Sequence, residues 1–594
     1  MAESPVPAGG AFLIDAAGPN SILIPEQLSA ETRQMARTMA DYVRREVMPR
    51  LDEIEHQQEG LMRRLVQGAG DLGLLAIGVP ECYGGLGLNK SAVTLITEKA
   101  APNASFAISV GAHIGIGTLP LLFFGTPAQK QKYLPTMASG ERLSAFALSE
   151  ANSGSDALAA KTTATLDEPR GCYLLNGTKM WTTNAGFADL LTVFAKVDGE
   201  KMTAFLVETS APGVSLGREE LKLGLKGSST RRVVLENAEV PVENVLGEIG
   251  KGHRAALYPL NLGRYAIGAG ALGASKEALA AAAKYALQRS QFGQAIANFG
   301  LIQAKLGEMA TRIFAAESMV YRVAGYWDDI FGRIDHASPA ALEGYRAAAE
   351  EYSIECAIIK FYGSEMLDYV VDEALQIHGG YGYTEEFPMA RAYRDARINR
   401  IFEGTNEINR LTVLDQALRR AKAGRLDLES AAHRLRDTVL APPETLESTD
   451  PLGAARALVG EMRNVLLYVA GQAWEALGEG LAEQQEVAAA IADMAADLLA
   501  LESSAIRVSM LQESAPGDRA ECALAALQTL ASDAADRAAH LARTVLVACA
   551  QGDALATHYA VVRRLLRPST ANTVALRRKV AALVLQSEGF PWGA

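Results

Sequence analysis

The strongest constraint on the fold is a change of sequence periodicity near Leu143 that reverses near Ala255. Before Leu143 the apolar residues recur at helical spacing, and from Ala255 to Leu418 long Ala-rich helical segments return. Short runs rich in β-branched and aromatic residues lie between, at Thr162–Thr165, Tyr173–Leu175, Leu191–Val197, Thr203–Val207 and Arg232–Leu235. The chain is therefore predicted to be mainly α, with a small central antiparallel β domain.

Local signals refine this prediction. Ser29 is a good N-cap for a first helix with Glu31 in its first turn. Asn176-Gly177 and Asp198-Gly199 are typical of hairpin turns between strands. A Pro-rich stretch, 437–453, predicts a linker before a further Ala/Leu-rich helical region.

These observations divide the chain into six predicted segments. They are an irregular segment at 1–27, a helical domain at 28–142, the β domain at 143–254, a second helical domain at 255–418, a linker at 419–453 and an extra helical domain at 454–594.

Composition excludes several classes of function. The net charge of −12 comes without a dense Lys/Arg cluster, so no nucleic-acid binding is expected. The scattered histidines and five separated cysteines predict neither a metal site nor a disulfide framework. The start lacks the features of a signal peptide, which predicts a cytoplasmic protein. Glu444, Glu447 and Asp450 make the linker acidic, so strong binding to anionic membranes is not expected.

Two segments match GxGxxG, at 68–73 and 268–273. A dinucleotide site requires a preceding strand and a βαβ context, whereas both segments lie within helical patterns. Their small residues are therefore interpreted as sites of close helix packing.

Two other segments carry more information. The first is FALSEANSGSDA at Phe146–Ala157, followed by KMWTTN at Lys179–Asn184. The second is QIHGGYGYTEEFPMARAYRDARINRIFEGTNEINR at Gln376–Arg410. With PECYGGLGL (80–88), RSQFGQAI (289–296) and VPVENVLG (240–247), they resemble the signatures of the acyl-CoA dehydrogenase family over about residues 28–415. The extra helical domain narrows the resemblance to the very-long-chain branch and its bacterial relatives.

The resemblance implies the family fold, an α domain, a β-barrel domain and an α domain, plus the extra helices. It also implies desaturation of a fatty acyl-CoA to the trans-2-enoyl-CoA in fatty acid β-oxidation. This chemistry requires a base for the α proton, donors for the thioester oxygen and a hydride acceptor, and no side chain accepts hydride. The resemblance assigns that last role to FAD.

Glu403, between Phe402 and Gly404, is the candidate base. A dry pocket would strengthen a carboxylate as a base, and glycine allows close approach of a substrate. By resemblance, the Glu403 backbone N–H and a flavin ribityl hydroxyl hold the thioester carbonyl. Some family members carry their base on the helix after the β domain, but Gly263 occupies that position here.

The resemblance also implies the binding residues. Arg264 matches a substrate-site arginine, with Asn261 near the CoA moiety and Ser155 and Gly404 also at the substrate. The flavin contacts implied in the β domain are Phe146, Leu148, Ser149, Gly154, Ser155, Trp181 and Thr183. Ser149 replaces the family's usual Thr, and Ala151-Asn152-Ser153 replaces Pro-Gly-Ala, which alters the expected loop.

Further residues are implied at the far end of FAD. Arg289 and Phe292 would reach the adenosine diphosphate of a cofactor bound mainly by a neighbouring subunit, which predicts at least a homodimer. Gln376, Gly379 and Gly380 would continue that contact, although the two glycines also fit an ordinary helix C-cap. Thr405 and Glu407 would touch the cofactor near the base, and His378 is interpreted as structural.

Three questions stay open at this stage. Small residues at Gly111–Gly117, on a predicted helix, indicate either a deep acyl tunnel or close helix packing. The family resemblance favours a dehydrogenase with an electron-transfer flavoprotein as acceptor, but an acyl-CoA oxidase is an alternative. A non-catalytic assembly protein that retains the fold is a third hypothesis, which the intact Glu403 and flavin motifs disfavour.

Overall fold

The computed structural model describes residues 7–18, 21–338, 340–439 and 450–593. The chain forms two compact units. One comprises residues 29–273 and 327–350, and the other comprises 1–28, 274–326 and 351–594.

The first unit opens with seven α-helices. They are α1 (Ala30–Tyr42), α2 (Leu51–Glu55), α3 (Leu61–Asp71), α4 (Lys90–Glu98), α5 (Ala104–Ala112), α6 (Leu119–Phe124) and α7 (Pro127–Ser139). Ser29 caps α1 as predicted, since its Oγ accepts a hydrogen bond from the Thr32 N–H at 3.0 Å. Gly70, in the first GxGxxG segment, packs so tightly that a Cβ there would lie 2.6 Å from the Ser139 carbonyl oxygen.

The segment Gly111–Gly117 departs from the predicted single helix. α5 ends at Ala112 and a π-turn follows at His113–Gly117, where Gly115 leaves the helical region with φ −92° and ψ −108°. The physical reason is the glycine, whose backbone can break the helical hydrogen-bond pattern. Among the described residues, the stretch Ala104–Phe124 alone has the length and hydropathy of a membrane span, and it is largely buried within the fold, as a core helix is.

The β domain is one eight-stranded sheet. Its strands are β1 (Ser144–Ala147), β2 (Thr163–Asp167), β3 (Cys172–Thr183), β4 (Leu190–Val197), β5 (Lys201–Glu208), β6 (Val214–Glu219), β7 (Thr230–Pro241) and β8 (Val245–Leu246). The order is β6-β7-β3-β2-β4-β5-β8, with β1 beside β4. Leu175, Val193, Phe205 and Val233 are among its fully buried core residues.

Two details of the predicted β domain are wrong. The sheet is mixed rather than antiparallel, because β1 pairs in parallel with the first half of β4 and β2 pairs in parallel with its end. A long loop, 148–162, joins β1 to β2. Asn176-Gly177 is no hairpin turn but a bulge inside β3, where Gly177 accommodates the Thr162 side chain against its backbone. Asp198-Gly199 does form the predicted turn, with φ of 55° and 75°, between β4 and β5.

The remaining elements are helical apart from a short hairpin, β9 (Ser290–Gln291) with β10 (Gln294–Ala295). They are α8 (Gly252–Gln288), α9 (Gly300–Phe331), α10 (Ala341–Glu351), α11 (Ser353–His378), α12 (Gly380–Tyr383), α13 (Pro388–Ala396), α14 (Asn406–Lys422), α15 (Leu428–Val439), α16 (Pro451–Leu477), α17 (Gln485–Ser514), α18 (Asp518–Cys549), α19 (Gly552–Leu565) and α20 (Thr573–Gln586). The second GxGxxG segment lies inside α8, where a Cβ at Gly273 would lie 2.3 Å from the Glu98 carbonyl oxygen. Both segments therefore serve close packing.

The predicted linker at 419–453 contains helical structure, because α14 continues to Lys422 and α15 occupies Leu428–Val439. Glu444 and Glu447 lie outside the described residues. Asp450 accepts a hydrogen bond from the Gly453 N–H at 2.9 Å and so caps α16.

Buried ion pairs hold the appended helices α16–α20 within the second unit. Arg507 on α17 is fully buried and contacts Glu317 and Glu26, each at 2.6 Å. Arg322 and Arg463 both contact the buried carboxylate of Glu502. A buried charge is tolerated only with such partners, so these contacts make the appended helices an integral part of this unit.

Candidate active site

Glu403 lies in a turn with unusual backbone geometry. The short helical turn Arg397–Arg400 ends just before it, and α14 begins just after it at Asn406. Glu403 has φ +56° and Gly404 has φ +81°, so two consecutive residues occupy the left-handed region. A glutamate there costs about 1–3 kcal/mol and persists only where its surroundings fix it.

The surroundings of the turn supply that constraint. Lys360 on α11 is fully buried, and its Nζ donates to the Gly404 carbonyl oxygen at 2.7 Å. The Asn409 amide donates to the same oxygen at 2.8 Å. Thr405 is the N-cap of α14, where its Oγ1 accepts from the Ile408 N–H at 3.3 Å. The backbone that carries Glu403 is therefore fixed from both α11 and α14.

Glu407, predicted near the cofactor, is an exposed residue in the first turn of α14. Its pKa is lowered by a backbone hydrogen bond in that turn and by the Thr405 hydroxyl. It is thus a solvated carboxylate beside the helix N-terminus, where negative charge is favourable.

The two β-domain segments predicted to bind the cofactor meet in space. The Met180 N–H donates to the Ser149 carbonyl oxygen at 2.8 Å, which joins the loop after β1 to the bulge in β3. Trp181 lies at that bulge with φ +54° and a 55% exposed surface. Phe146 packs on Phe194, with ring centroids 5.0 Å apart.

The other predicted residues surround this junction. Leu148 and Ser149 are partly buried, Gly154 and Ser155 are exposed, and Thr183 pairs with Thr230 at the end of β3. No heavy atom lies within 4 Å of the position a Cβ would take on Gly154. The backbone of the loop after β1 is therefore open at Gly154.

A buried ion pair that the sequence interpretation did not single out supports the same junction. Lys179 is fully buried and its Nζ lies 2.7 Å from Glu150 Oε1 and 3.2 Å from the Leu148 carbonyl oxygen. Burial raises the pKa of Glu150, but hydrogen bonds from Lys179, Thr162 and the Lys161 N–H outweigh it and hold that pKa at about 2. Glu150 lies in the first quoted motif and Lys179 in the segment that follows it. Their opposite charges were the sequence signal that could have predicted this ion pair.

The residues predicted to reach the far end of FAD all lie in the second unit. Phe292 and Gly293, with φ of 52° and 79°, form the tip of the β9–β10 hairpin, and the Phe292 side chain is 93% exposed. The Arg289 guanidinium lies 5.8 Å from the centre of the Tyr381 ring. The hairpin thus displays an aromatic ring to its surroundings.

Gln376, Gly379 and Gly380 lie at the junction of α11 and α12. Gly379, with φ +60°, is the C-cap of α11, and its N–H donates to the Gln376 carbonyl oxygen. No heavy atom lies within 4 Å of a Cβ position on Gly379 or Gly380. His378 is buried, stacks on Tyr285 at 4.3 Å, and uses Nδ1 on the Ala374 carbonyl oxygen, which supports its structural interpretation.

Asn261 and Arg264 form a pair one turn apart on α8. The Asn261 amide donates to the Ala349 carbonyl oxygen at 3.0 Å, and its Oδ1 accepts from Arg264 at 3.1 Å. Asn261 is buried, and both polar atoms of its amide are engaged in these two hydrogen bonds. Gly263 is buried on the same turn.

The glycines of the π-turn region fall into two groups. At Gly111 and Gly115 a Cβ would meet no heavy atom within 4 Å, whereas at Gly117 it would lie 2.4 Å from Ser144 Oγ. His113 is buried between Ser144 and the Met137 carbonyl oxygen, and burial lowers its pKa to about 4. Gly117 therefore serves packing, while Gly111 and Gly115 border open space.

No group of three or more His, Cys, Asp or Glu side chains arranged to hold a metal ion occurs in the described ranges. The second unit presents one carboxylate, Glu403, on a strained turn, and the first unit presents the Arg264 guanidinium on α8 and the exposed Trp181 ring at the β3 bulge.

Four family models match the chain. Those described as the acyl-CoA dehydrogenase N-terminal, middle and C-terminal domains match residues 29–141, 145–238 and 250–418. A further model, also described as an acyl-CoA dehydrogenase C-terminal domain, matches residues 461–564 in the appended helices.

Similar proteins agree with these matches. A probable acyl-CoA dehydrogenase of Bacillus subtilis is 43% identical over 585 residues, 98% of each chain. The human mitochondrial very long-chain specific acyl-CoA dehydrogenase is 42% identical over 357 residues, 58% of this chain and 52% of that protein. The crystal structure of an acyl-CoA dehydrogenase complexed with FAD from Bacillus anthracis superposes with a TM-score of 0.96 at 43% identity, covering 98% of this chain and 99% of that one. This chain belongs to the acyl-CoA dehydrogenase family.

Proposed function

We propose that, in this FAD-dependent acyl-CoA dehydrogenase, Glu403 removes the α proton of a long-chain acyl-CoA. The observation that carries the proposal is the strained Glu403–Gly404 turn. The buried Lys360 fixes this turn by a hydrogen bond to the Gly404 carbonyl oxygen. Strain of this kind is retained where it aims a functional group.

The residues of the β domain fit a flat aromatic cofactor. Trp181 is 55% exposed on the β3 bulge, and the backbone of the loop after β1 is open at Gly154. Trp181 offers a ring face, and Ser149, Ser155 and Thr183 offer hydroxyl groups. When bound, FAD supplies the hydride acceptor that the side chains lack.

The proposed chemistry divides among the chain's own residues. The Glu403 carboxylate takes the α proton, and its backbone N–H donates to the thioester oxygen as negative charge develops there. Gly404 has no side chain, so the thioester can approach the backbone. Arg264, oriented by Asn261, binds the substrate from α8.

A long acyl chain is supported by two observations. Gly111 and Gly115 border open space at the π-turn, and the similar human enzyme is specific for very long chains. Gly117 does not support a tunnel, because the Ser144 side chain occupies the space where its Cβ would lie. We therefore propose a long-chain substrate and a place in fatty acid β-oxidation.

Assembly and electron transfer are part of the proposal. The exposed ring of Phe292 at a hairpin tip favours a homodimer in which a second chain covers it and Arg289 reaches the partner's FAD. An electron-transfer flavoprotein is the proposed acceptor, and the cytoplasm, without strong membrane binding, is the proposed location.

Anaerobic stopped-flow absorbance with acyl-CoAs of graded length tests the function. The purified protein should be yellow, and long saturated acyl-CoAs should bleach the flavin while mass spectrometry detects the trans-2-enoyl-CoA. A yellow protein that no saturated acyl-CoA bleaches would refute the proposed reaction. Faster bleaching by short chains would refute only the proposed length.

A further inference from the structure

Arg410 connects the helix that follows the base to the appended helices. It lies on α14, and its two terminal nitrogens contact both oxygens of Glu365 on α11, at 2.8 and 2.9 Å. Its Nε donates to Asp493 on α17 at 2.8 Å. The guanidinium also lies 4.4 Å from the centre of the Phe361 ring. One arginine is thus held on three sides, and one of its partners comes from the appended region.

The same carboxylate continues the network toward the base. Glu365 Oε1 accepts from the Asn406 amide at 2.9 Å, and Asn406 Oδ1 accepts from Lys360 Nζ at 2.7 Å. Lys360 in turn donates to the Gly404 carbonyl oxygen at 2.7 Å. An unbroken series of contacts therefore joins Asp493 to the residue beside Glu403.

The network is enclosed by protein, and Ser364 Oγ is a second partner of the Asn406 amide at 3.0 Å. Lys360 is fully buried and Asn406 is 2% exposed, so water does not readily replace their partners. A shift of Arg410 would move Glu365, and Glu365 would carry Asn406 with it. Because a displacement of about 1 Å at a reacting group can cost about 100-fold in rate, such a shift would be felt at the base.

We propose that Asp493 is a positioning residue for the catalytic base, acting through Arg410, Glu365, Asn406 and Lys360 on the Glu403–Gly404 turn. The appended helices then contribute to catalysis as well as to assembly. This inference rests on the proposed function of Glu403.

The energetics of the Asp493 contact fit positioning better than stability. Burial raises the pKa of Asp493 to about 6, and the charge and hydrogen bond of Arg410 only partly offset it. The ionised carboxylate is thus held at a cost to the fold. Arg410 keeps Glu365 as a partner in any case, so loss of Asp493 leaves no unpaired buried cation.

The test compares three variants of the FAD-loaded protein. Asp493→Ala removes the acceptor for Arg410, while Asp493→Asn keeps an oxygen at the same place. Glu479→Ala is the matched control, because Glu479 forms an exposed ion pair with Lys422 at the far end of α14. Glu403→Gln is measured in parallel to establish the role of the base itself.

Four measurements are made on each variant: kcat and KM, exchange of the α proton of the acyl-CoA with deuterated solvent, amide hydrogen exchange over residues 401–410, and the thermal midpoint of unfolding. Asp493→Ala is expected to lower kcat and α-proton exchange by about 10- to 100-fold with KM little changed. Amide exchange over 401–410 should accelerate, while the thermal midpoint stays at or above that of the wild type. Asp493→Asn should recover most of the rate, and Glu479→Ala should match the wild type.

The outcomes separate the two proposals. If Glu403→Gln abolishes α-proton exchange but Asp493→Ala behaves like Glu479→Ala, the positioning inference is wrong and the proposed function stands. If Glu403→Gln exchanges at the wild-type rate, the proposed function is wrong and the inference fails with it. If Asp493→Ala fails to fold, Asp493→Leu takes its place. Leucine has a volume similar to that of aspartate and no hydrogen-bond acceptor, and its results are interpreted in the same way.

Discussion

Lys360 on α11 donates one hydrogen bond to the Gly404 carbonyl oxygen and another to Asn406 Oδ1, each at 2.7 Å. A buried ammonium group thus fixes the residue that follows the proposed base. The relationship is local to one helix and one turn, and it makes the orientation of Glu403 depend on a residue 43 positions earlier in the chain.

Replacing Lys360 by Met tests that dependence. The variant keeps the volume but removes the donor to two buried acceptors, which should lower the free energy of unfolding by about 2–4 kcal/mol. It should also lower kcat by about 10-fold or more, since the turn loses its fixed position. Denaturant unfolding and stopped-flow flavin reduction measure the two effects. Lys422→Met, which breaks an exposed pair with Glu479, should change stability by less than about 1 kcal/mol. Equal effects of the two substitutions would contradict the assigned role.

Lys179→Met tests the buried ion pair with Glu150 at the proposed flavin-binding loop, 148–162. It leaves the Glu150 carboxylate without its cation next to the Met180–Ser149 junction, and breaking a buried pair costs about 3–5 kcal/mol. The variant should therefore unfold at lower temperature and lose FAD. Lys201→Met, which breaks an exposed pair with Asp198 in the same sheet, is the control and should stay within about 1 kcal/mol of the wild type. Calorimetry measures the stability, and the flavin-to-protein absorbance ratio measures FAD retention. Full FAD retention by Lys179→Met would count against the proposal that this loop binds the flavin.

The pH dependence of stability tests the environment of Asp493. Its pKa is raised by burial from 3.8 to about 6 in the folded protein. The folded state therefore binds this proton more tightly than the unfolded chain, and stability is lost as pH rises through that window. Asp493→Asn should melt a few degrees above the wild type near neutral pH, with the difference vanishing as pH falls toward about 4. A variant that melts below the wild type at neutral pH would show that the charged contact stabilises the fold.

Trp181→Ala tests the proposed flavin surface. The side chain is 55% exposed, so its loss should change the stability of the FAD-free protein little. FAD affinity should fall by about 10-fold, since aromatic contacts of this kind are worth about 0.5–1.5 kcal/mol beyond the area they bury. Fluorescence titration with FAD measures the affinity, and Leu166→Ala, at an exposed leucine on β2, is the control. Unchanged affinity in Trp181→Ala would place the flavin elsewhere.

The order of helical and β regions was predictable because periodicity reports which face of an element is buried. Ser29 and Asp198-Gly199 were correctly assigned because their effects are local. The bulge at Gly177 was not predicted, since the close approach of Thr162 that requires the glycine comes from the end of the loop before β2. The parallel pairing of β1 and β2 with β4 likewise depends on the path of a loop rather than on residue types.

The candidate site shows the same division. Glu403 was predicted from a local motif, whereas Lys360, Glu365 and Asp493 carry no local signal because charged residues on a helix usually face solvent. Their importance appears only when α11, α14 and α17 bring them together.

Glu403→Gln addresses the central claim, with Asp415→Asn, an exposed carboxylate on α14 paired with Arg419, as its control. Glutamine keeps the size of the side chain and the backbone N–H but removes the basicity. Gly263→Glu on the Glu403→Gln background is a companion, since a carboxylate at the family's other base position should restore part of the rate.

The decisive measurement is anaerobic stopped-flow bleaching of the flavin by a long-chain acyl-CoA in Glu403→Gln. General base catalysis is worth about 10²–10⁴-fold, and the loss should reach at least the upper end of that range while acyl-CoA and FAD still bind. Asp415→Asn should bleach at the wild-type rate. Near-normal bleaching by Glu403→Gln would show that another group removes the α proton.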